Sequence, residues 1–271
     1  MTLPPDGPGP GSRAEQFPQR PPRKRRKDAG QPRWEDRDYY VLQWIGQQGV
    51  IRFDQLQRLL GRESPDLDDW EAVLSESATR NAIDRWEARH LVNSAHIMPK
   101  EPNYYWLSNT GLQFVELDLP HYSPKRQEVP LLFACNQVRL YVELLARSDE
   151  QEFGDHWDCA WISMRMIAHR NPEGKLHLPI AQFRTPKRGT LALELVLAEA
   201  PDTESVMQSY AKGLGYSEVW YFAPSSALLA LEEMREKLRG SGVDVRSIYT
   251  YSADAILFPP LPPKRIKQNK R

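Results

Sequence analysis

Three groups of residues in this chain of 271 could do chemistry. Ser77, Arg80, Asn81, Asp84 and Arg85 are spaced so that one helix would carry them on the face opposite Ile83 and Trp86. Arginine can pair with guanine and asparagine with adenine in a major groove, so this face could read bases. The run Arg23, Lys24, Arg25, Arg26 and Lys27 can neutralise phosphates without sequence preference, and Lys264, Arg265, Lys267, Lys270 and Arg271 repeat the chemistry at the other end. The alternative for both runs is a solvated tail that aids solubility. The third group is a single acid, Glu194, in the otherwise apolar stretch Leu191 to Leu197. Such an acid is either a hydrogen-bonded core carboxylate that titrates abnormally or one member of a metal-binding set.

Other constellations point nowhere. His156, Asp158, Cys159 and His169 lie close together, but their spacing is not that of a zinc site. No phosphate-cradling glycine loop and no Gly-x-Ser-x-Gly elbow occurs. Cys135 and Cys159 are too few for a disulfide framework, and free thiols in a reducing compartment are expected. No cofactor and no bound metal is expected. Trp34, Trp44, Trp86, Trp106, Trp157, Trp161 and Trp220 fall mostly on apolar faces and are read as core. Trp70, in an acidic loop, is the tryptophan expected to meet a partner.

The net charge of zero conceals a segregation. Residues 1–34 carry eight basic and three acidic side chains, and residues 264–271 five basic and none acidic, so each end is +5 and the body between them is −10. No apolar run is seen to approach the ~20 residues of a membrane span, so no membrane partner is expected and the cytoplasm is the expected location. Residues 1–33, rich in Pro, Gly, Arg and Lys, cannot bury enough surface to offset their ordering entropy and are expected to be a disordered basic tail.

The elements that must position these groups follow from apolar spacing. Asp36 to Gly46 reads as a helix broken at Gly46–Gly49. Asp54 opens a short helix stopped by Gly61, and Ser75 or Ser77 caps a third helix running to His90. A hairpin of Leu91–Val92 and Tyr104–Leu107 follows, then a helix opened by Ser108. This is the order of a winged helix-turn-helix, with the third helix as reader. Glu35 to Pro120 carries eight basic and fifteen acidic residues, a net of −7, which favours a protein partner or a homodimer over direct contact with phosphates. Pro124 and Pro130 bracket the expected boundary between domains of 34–123 and 124–258, with a basic tail over 259–271. Beyond it come a helix over Leu131–Ala146, a mixed stretch over His156–Ala168, and strands over Lys175–Arg184 and Thr190–Leu197 joined at TPKRG. Then follow a helix over Thr203–Gly213, a strand over Glu218–Ala223, a serine-capped helix over Ser225–Gly240 and a strand over Val243–Tyr251. The pattern implies a mixed sheet with helices on its faces.

A strand bearing one acid, after a hairpin and before a helix, is the outline of a metal-dependent nuclease of the PD-(D/E)XK type, whose carboxylates hold Mg²⁺. The strings YYWLSNTGL, FACNQVRLYVE, LALELVL and SYAKGLGYSEVWYFAP, in this order, resemble the bacterial replication-relaxation family of plasmids and other mobile elements over about Asp36 to Phe222. The resemblance implies an α+β / α/β chain, an N-terminal winged helix-turn-helix followed by a restriction-endonuclease-like mixed-sheet domain. Asn136 and Arg139 match its helix stretch. The family tends to have a histidine where Leu132 and Phe133 stand, Pro-Asp where Pro179 and Ile180 stand, and alternating acids where Glu194 is followed by Val196, Ala198 and Glu199. One carboxylate cannot assemble a Mg²⁺ site, so Glu194 is vestigial and the expected function is that of a non-catalytic, double-stranded-DNA-binding accessory protein in plasmid replication, relaxation or transfer. The alternatives are a nuclease in which Asp155, Asp158 or Glu199 completes the site, and a protein-interaction adaptor.

Overall fold

The computed structural model describes residues 34–64, 72–171, 177–197, 202–212 and 215–257. Arg23, Lys24, Arg25, Arg26, Lys27, Trp70, Glu199 and the C-terminal basic run lie outside the described residues. The chain is mixed α and β, with one three-stranded antiparallel sheet and one five-stranded mixed sheet.

The first sheet belongs to residues 34–115. Helix α1 (Asp36–Gln48) does not break at Gly46; it continues to Gln48 and ends at Gly49, whose φ of +93° suits glycine. Gly46 is instead a packing position, where an added Cβ would lie 2.5 Å from the Leu117 side chain. Strand β1 (Ile51–Arg52) leads into α2 (Phe53–Arg62), where Asp54 sits in the first turn rather than at the cap and the helix runs one residue past Gly61. Helix α3 (Glu76–Glu87) is capped by Ser75, whose hydroxyl accepts from the Ala78 amide at 3.3 Å. It stops short of His90, which adopts a φ of +57°. Strands β2 (Val92–Ala95) and β3 (Tyr104–Leu107) form a hairpin, and β1 pairs with the other edge of β3. Helix α4 (Asn109–Phe114) has the expected Ser108 cap. Leu42, Ile45, Leu56, Leu59, Ile83 and Trp86 lie at the centre of this half's core.

Helix α5 (Val129–Ser148) begins before Pro130, which occupies its first turn, where a missing N–H costs nothing. It is long and apolar enough to cross a bilayer by length and composition, which the expectation of no such apolar run overlooked. Half of it is buried inside the protein, and it carries a polar seam. The Trp161 indole donates to Gln48 at 3.1 Å, Gln48 donates to Asn136 at 3.0 Å, and Asn136 donates to the Val50 carbonyl at 2.7 Å. Gln55 donates to Gln137 at 3.1 Å. Further along, Glu143 accepts from Arg139 and Arg62, both at 2.7 Å, and from the Trp44 indole at 3.1 Å. Asn136 and Arg139 are therefore joints between the two sheets' surroundings, and the described residues from Trp34 on form one compact unit.

The stretch after α5 resolves into α6 (Glu150–Phe153), a 3-10 turn (His156–Asp158), β4 (Ala160–Ser163) and α7 (Met164–Arg170). Strands β5 (Ala181–Thr185) and β6 (Gly189–Leu195) form the expected hairpin. Helix α8 (Thr203–Ala211) crosses to β7 (Glu218–Ala223), and α9 (Ser225–Gly240) to β8 (Ile248–Ser252), which is shorter than expected. No serine caps α9. The Asp254 carboxylate, at the start of α10 (Asp254–Leu257), accepts from the Ser225 amide at 3.2 Å instead. The sheet order is β4-β5-β6-β7-β8, antiparallel up to β6 and parallel after it. Strand β6 is central and covered on both faces, as its apolar run implied. Leu191 and Leu193 face α5, while Ala192 lies on the side of α8 and α9.

Candidate nucleic-acid interface and the Glu194 cluster

Helix α3 buries Thr79, Ala82, Ile83 and Trp86, which leaves Glu76, Ser77, Arg80, Asn81 and Asp84 exposed in one outward band. Ser77, Arg80 and Asn81 are exposed on this band, away from Ile83 and Trp86. Arg80 is not idle: Glu76 holds its guanidinium at 2.7 Å, one turn back. Both side chains of that pair are 64% exposed, so solvent screens it and the arginine can be drawn away. Arg85 departs from expectation. Its Nη2 lies 3.0 Å from both carboxylate oxygens of the fully buried Asp38, so it clamps α3 to α1 instead of facing outward. The reason is angular, since position 85 falls on the flank of α3 that meets α1.

Residues that the sequence reading passed over lie beside the β2–β3 hairpin. Lys100 sits in its turn at a φ of +66°. Met98, two residues before it, shares a shallow groove with Lys125, Arg126 and Gln127 from the segment leading into α5. Lys125 has a partner in Glu128 at 3.6 Å, whereas Lys100 and Arg126 have no ion pair among the described residues. The hint was the pair Lys125–Arg126 in SPKRQEVP, but only the fold brings it beside the hairpin.

The second site surrounds Glu194 on the α8 side of the large sheet. Glu194 is 6% exposed, and its Oε1 lies 2.9 Å from His177 Nε2 and accepts the Tyr210 hydroxyl from α8. Tyr210 packs edge-on against Tyr216 with ring centres 5.7 Å apart, and the Tyr216 hydroxyl accepts from Gln182 at 2.8 Å. The hydrogen bond that the His177 ring donates to Glu194 raises the pKa of His177 against the opposing effect of burial. Burial, and then the charge of Glu194, pushes the Tyr210 and Tyr221 hydroxyls well above the ordinary phenol value. Burial, with a contribution from Glu194, likewise lifts the Cys135 thiol to about 12, so it is inert.

This donor set does not fit Mg²⁺. Hard cations of this kind take several oxygen ligands, and the positions that could supply a second and third acid are Ile180 and Val196. Asp155 and Asp158 precede β4 at the sheet's far end: Ala160 pairs with Arg184, Arg184 with Thr190, and Glu194 lies four residues further along β6, roughly 13 Å away. Among the described residues no three His, Cys, Asp or Glu side chains converge on a point that could hold a metal ion. Both cysteines are free. The chain matches no protein-family pattern, no curated protein and no solved structure.

Proposed function

We propose that this chain is a DNA-binding accessory protein without catalysis of its own, with a winged helix-turn-helix over the first sheet and a degenerate nuclease-like domain over the second. What carries the reading is the order α1-β1-α2-α3-β2-β3-α4 with the sheet order β1-β3-β2, in which α3 turns Ser77, Arg80 and Asn81 outward. Lys100 and Arg126, beside the hairpin, supply cations where a wing would meet the backbone. The succession α5-α6-β4-α7-β5-β6-α8-β7, with strands antiparallel up to β6 and parallel from β6 to β7, supports the nuclease-like reading of the second half, and the Glu194 donor set supports its inactivity. By resemblance the setting is a mobile element and the process its replication, relaxation or transfer, in the cytoplasm.

A second reading, an adaptor that binds protein or a second copy of itself, is favoured by the net charge of −7 over Glu35 to Pro120. Binding to random duplex DNA across a salt series, with the full chain and with a form lacking residues 1–33 and 264–271, separates the two. Retained binding by the shortened form, weakened by Arg80→Ala and Asn81→Ala, supports α3 as the reader. Binding by the full chain alone, with a steep salt slope, assigns DNA to the tails and leaves the acidic surface for protein.

A further inference from the structure

Beside the Glu194 cluster runs a cleft of about 320 Å³ that no step above uses. Its volume falls within the roughly 300–1,000 Å³ typical of small-molecule sites. Gln182 and Ile162, neighbours across β4 and β5, form its floor, and Ile167 and Arg170 of α7, with Asn171 just past its end, form one wall. Arg184 and Tyr216 also line it, and His177 stands at the side nearest Glu194. Arg170 and Arg184 are exposed and have no ion-pair or hydrogen-bond partner among the described residues. By contrast, Arg52, Arg62, Arg80, Arg85 and Arg188 are each held by a carboxylate. Glu194 is covered by His177 and Tyr210, and no acid among the described residues lines the cleft.

Two unpaired guanidiniums in one cleft suit an anion with several oxygens, because each presents a planar fork of donors. Gln182, Asn171 and the Tyr216 hydroxyl add neutral donors and acceptors. Ile162, Ile167 and Pro179 supply an apolar wall against which a sugar or base can lie. We propose that this cleft binds the phosphate of a nucleotide, free or within a nucleic-acid strand, through Arg170 and Arg184. Nothing in this assignment requires α3, so it stands or falls separately from the DNA-reading helix.

The test is calorimetry on the full chain with thymidine 5′-monophosphate, and with thymidine as the phosphate-free control. The nucleotide should bind once per chain and thymidine much more weakly. Arg170→Gln/Arg184→Gln should weaken the nucleotide by about tenfold or more. Arg239→Gln/Arg246→Gln removes the same charge from exposed positions elsewhere and should change nothing. A parallel titration with a short duplex identifies the source of the phosphate. Loss confined to the duplex, beyond that of the charge control, assigns the cleft to a strand, and loss with the mononucleotide assigns it to free nucleotides. If neither ligand responds to Arg170→Gln/Arg184→Gln, or the charge control loses as much, the assignment is wrong.

Discussion

Glu194 is buried and Glu143 nearly so, and their partners give these two acids different roles. Burial alone would raise the Glu143 carboxyl, but Arg139 and Arg62 more than offset it and hold the carboxyl at about 2. A depressed carboxyl stabilises the fold above its unfolded value, roughly 4.3, and that contribution is lost as pH falls through the folded value. The melting midpoint should therefore drop between about pH 5 and pH 2, and Glu143→Gln should flatten that part of the profile. The same substitution should cost about 3–5 kcal/mol in urea denaturation, because it leaves the buried Arg139 guanidinium without a carboxylate and takes one of two from Arg62. An unchanged acid limb would mean that the pair does not govern acid unfolding. His177 runs the other way. Its raised pKa adds stability that is complete below the unfolded value of roughly 6.5 and fades as pH rises through the folded value. In proton NMR, the His177 ring should titrate above an ordinary histidine, and Glu194→Gln should return it to that range or below. A resonance that ignores the substitution would show that the two side chains do not touch.

At the scale of elements, the outward face of α3, proposed above to read bases, is partly self-neutralised. Glu76 sits one turn ahead of Arg80 and competes with any phosphate for it. Glu76→Gln frees the guanidinium and removes one repulsive charge, so duplex affinity of the shortened chain should rise, by about threefold at moderate salt. A fall in affinity, or no change where Arg80→Ala does weaken binding, would place Arg80 off the DNA. Arg85→Ala acts on a different link. It leaves buried Asp38 without its cation, so its first effect is on the α1–α3 contact and on stability, and only through that on binding.

For the whole molecule, α5 decides whether there are two moving parts or one. The seam from Trp161 through Gln48 to Asn136, and the Arg62–Glu143–Arg139 group, tie it to the surroundings of both sheets with buried polar contacts. Each contact left unpaired would cost about 1–3 kcal/mol, so separating the halves is expensive. Unfolding should be one transition, with tryptophan fluorescence and far-UV circular dichroism coincident in urea. Two displaced transitions would show that the halves are independent and the seam weak.

What the sequence settled by itself is what local burial encodes. The outward placement of Ser77, Arg80, Asn81 and Asp84 on α3, the Ser108 cap, the central position of β6 and the span of α9 follow from apolar spacing and turn residues, and the structure places them there, although Arg85 turns inward and no serine caps α9. Strand β1 could not be read, because two residues have no period and exist as a strand only by pairing with β3. Trp157, read as core, is 74% exposed, since its 3-10 turn sets its direction. The partner of Arg85 lies 47 residues away, that of Asn136 88 residues away and that of Glu194 in His177 17 residues away. Charge and hydrogen-bond pairing at such separations leaves no local pattern, so only the tertiary structure could decide which arginines are already held and which remain open to a ligand.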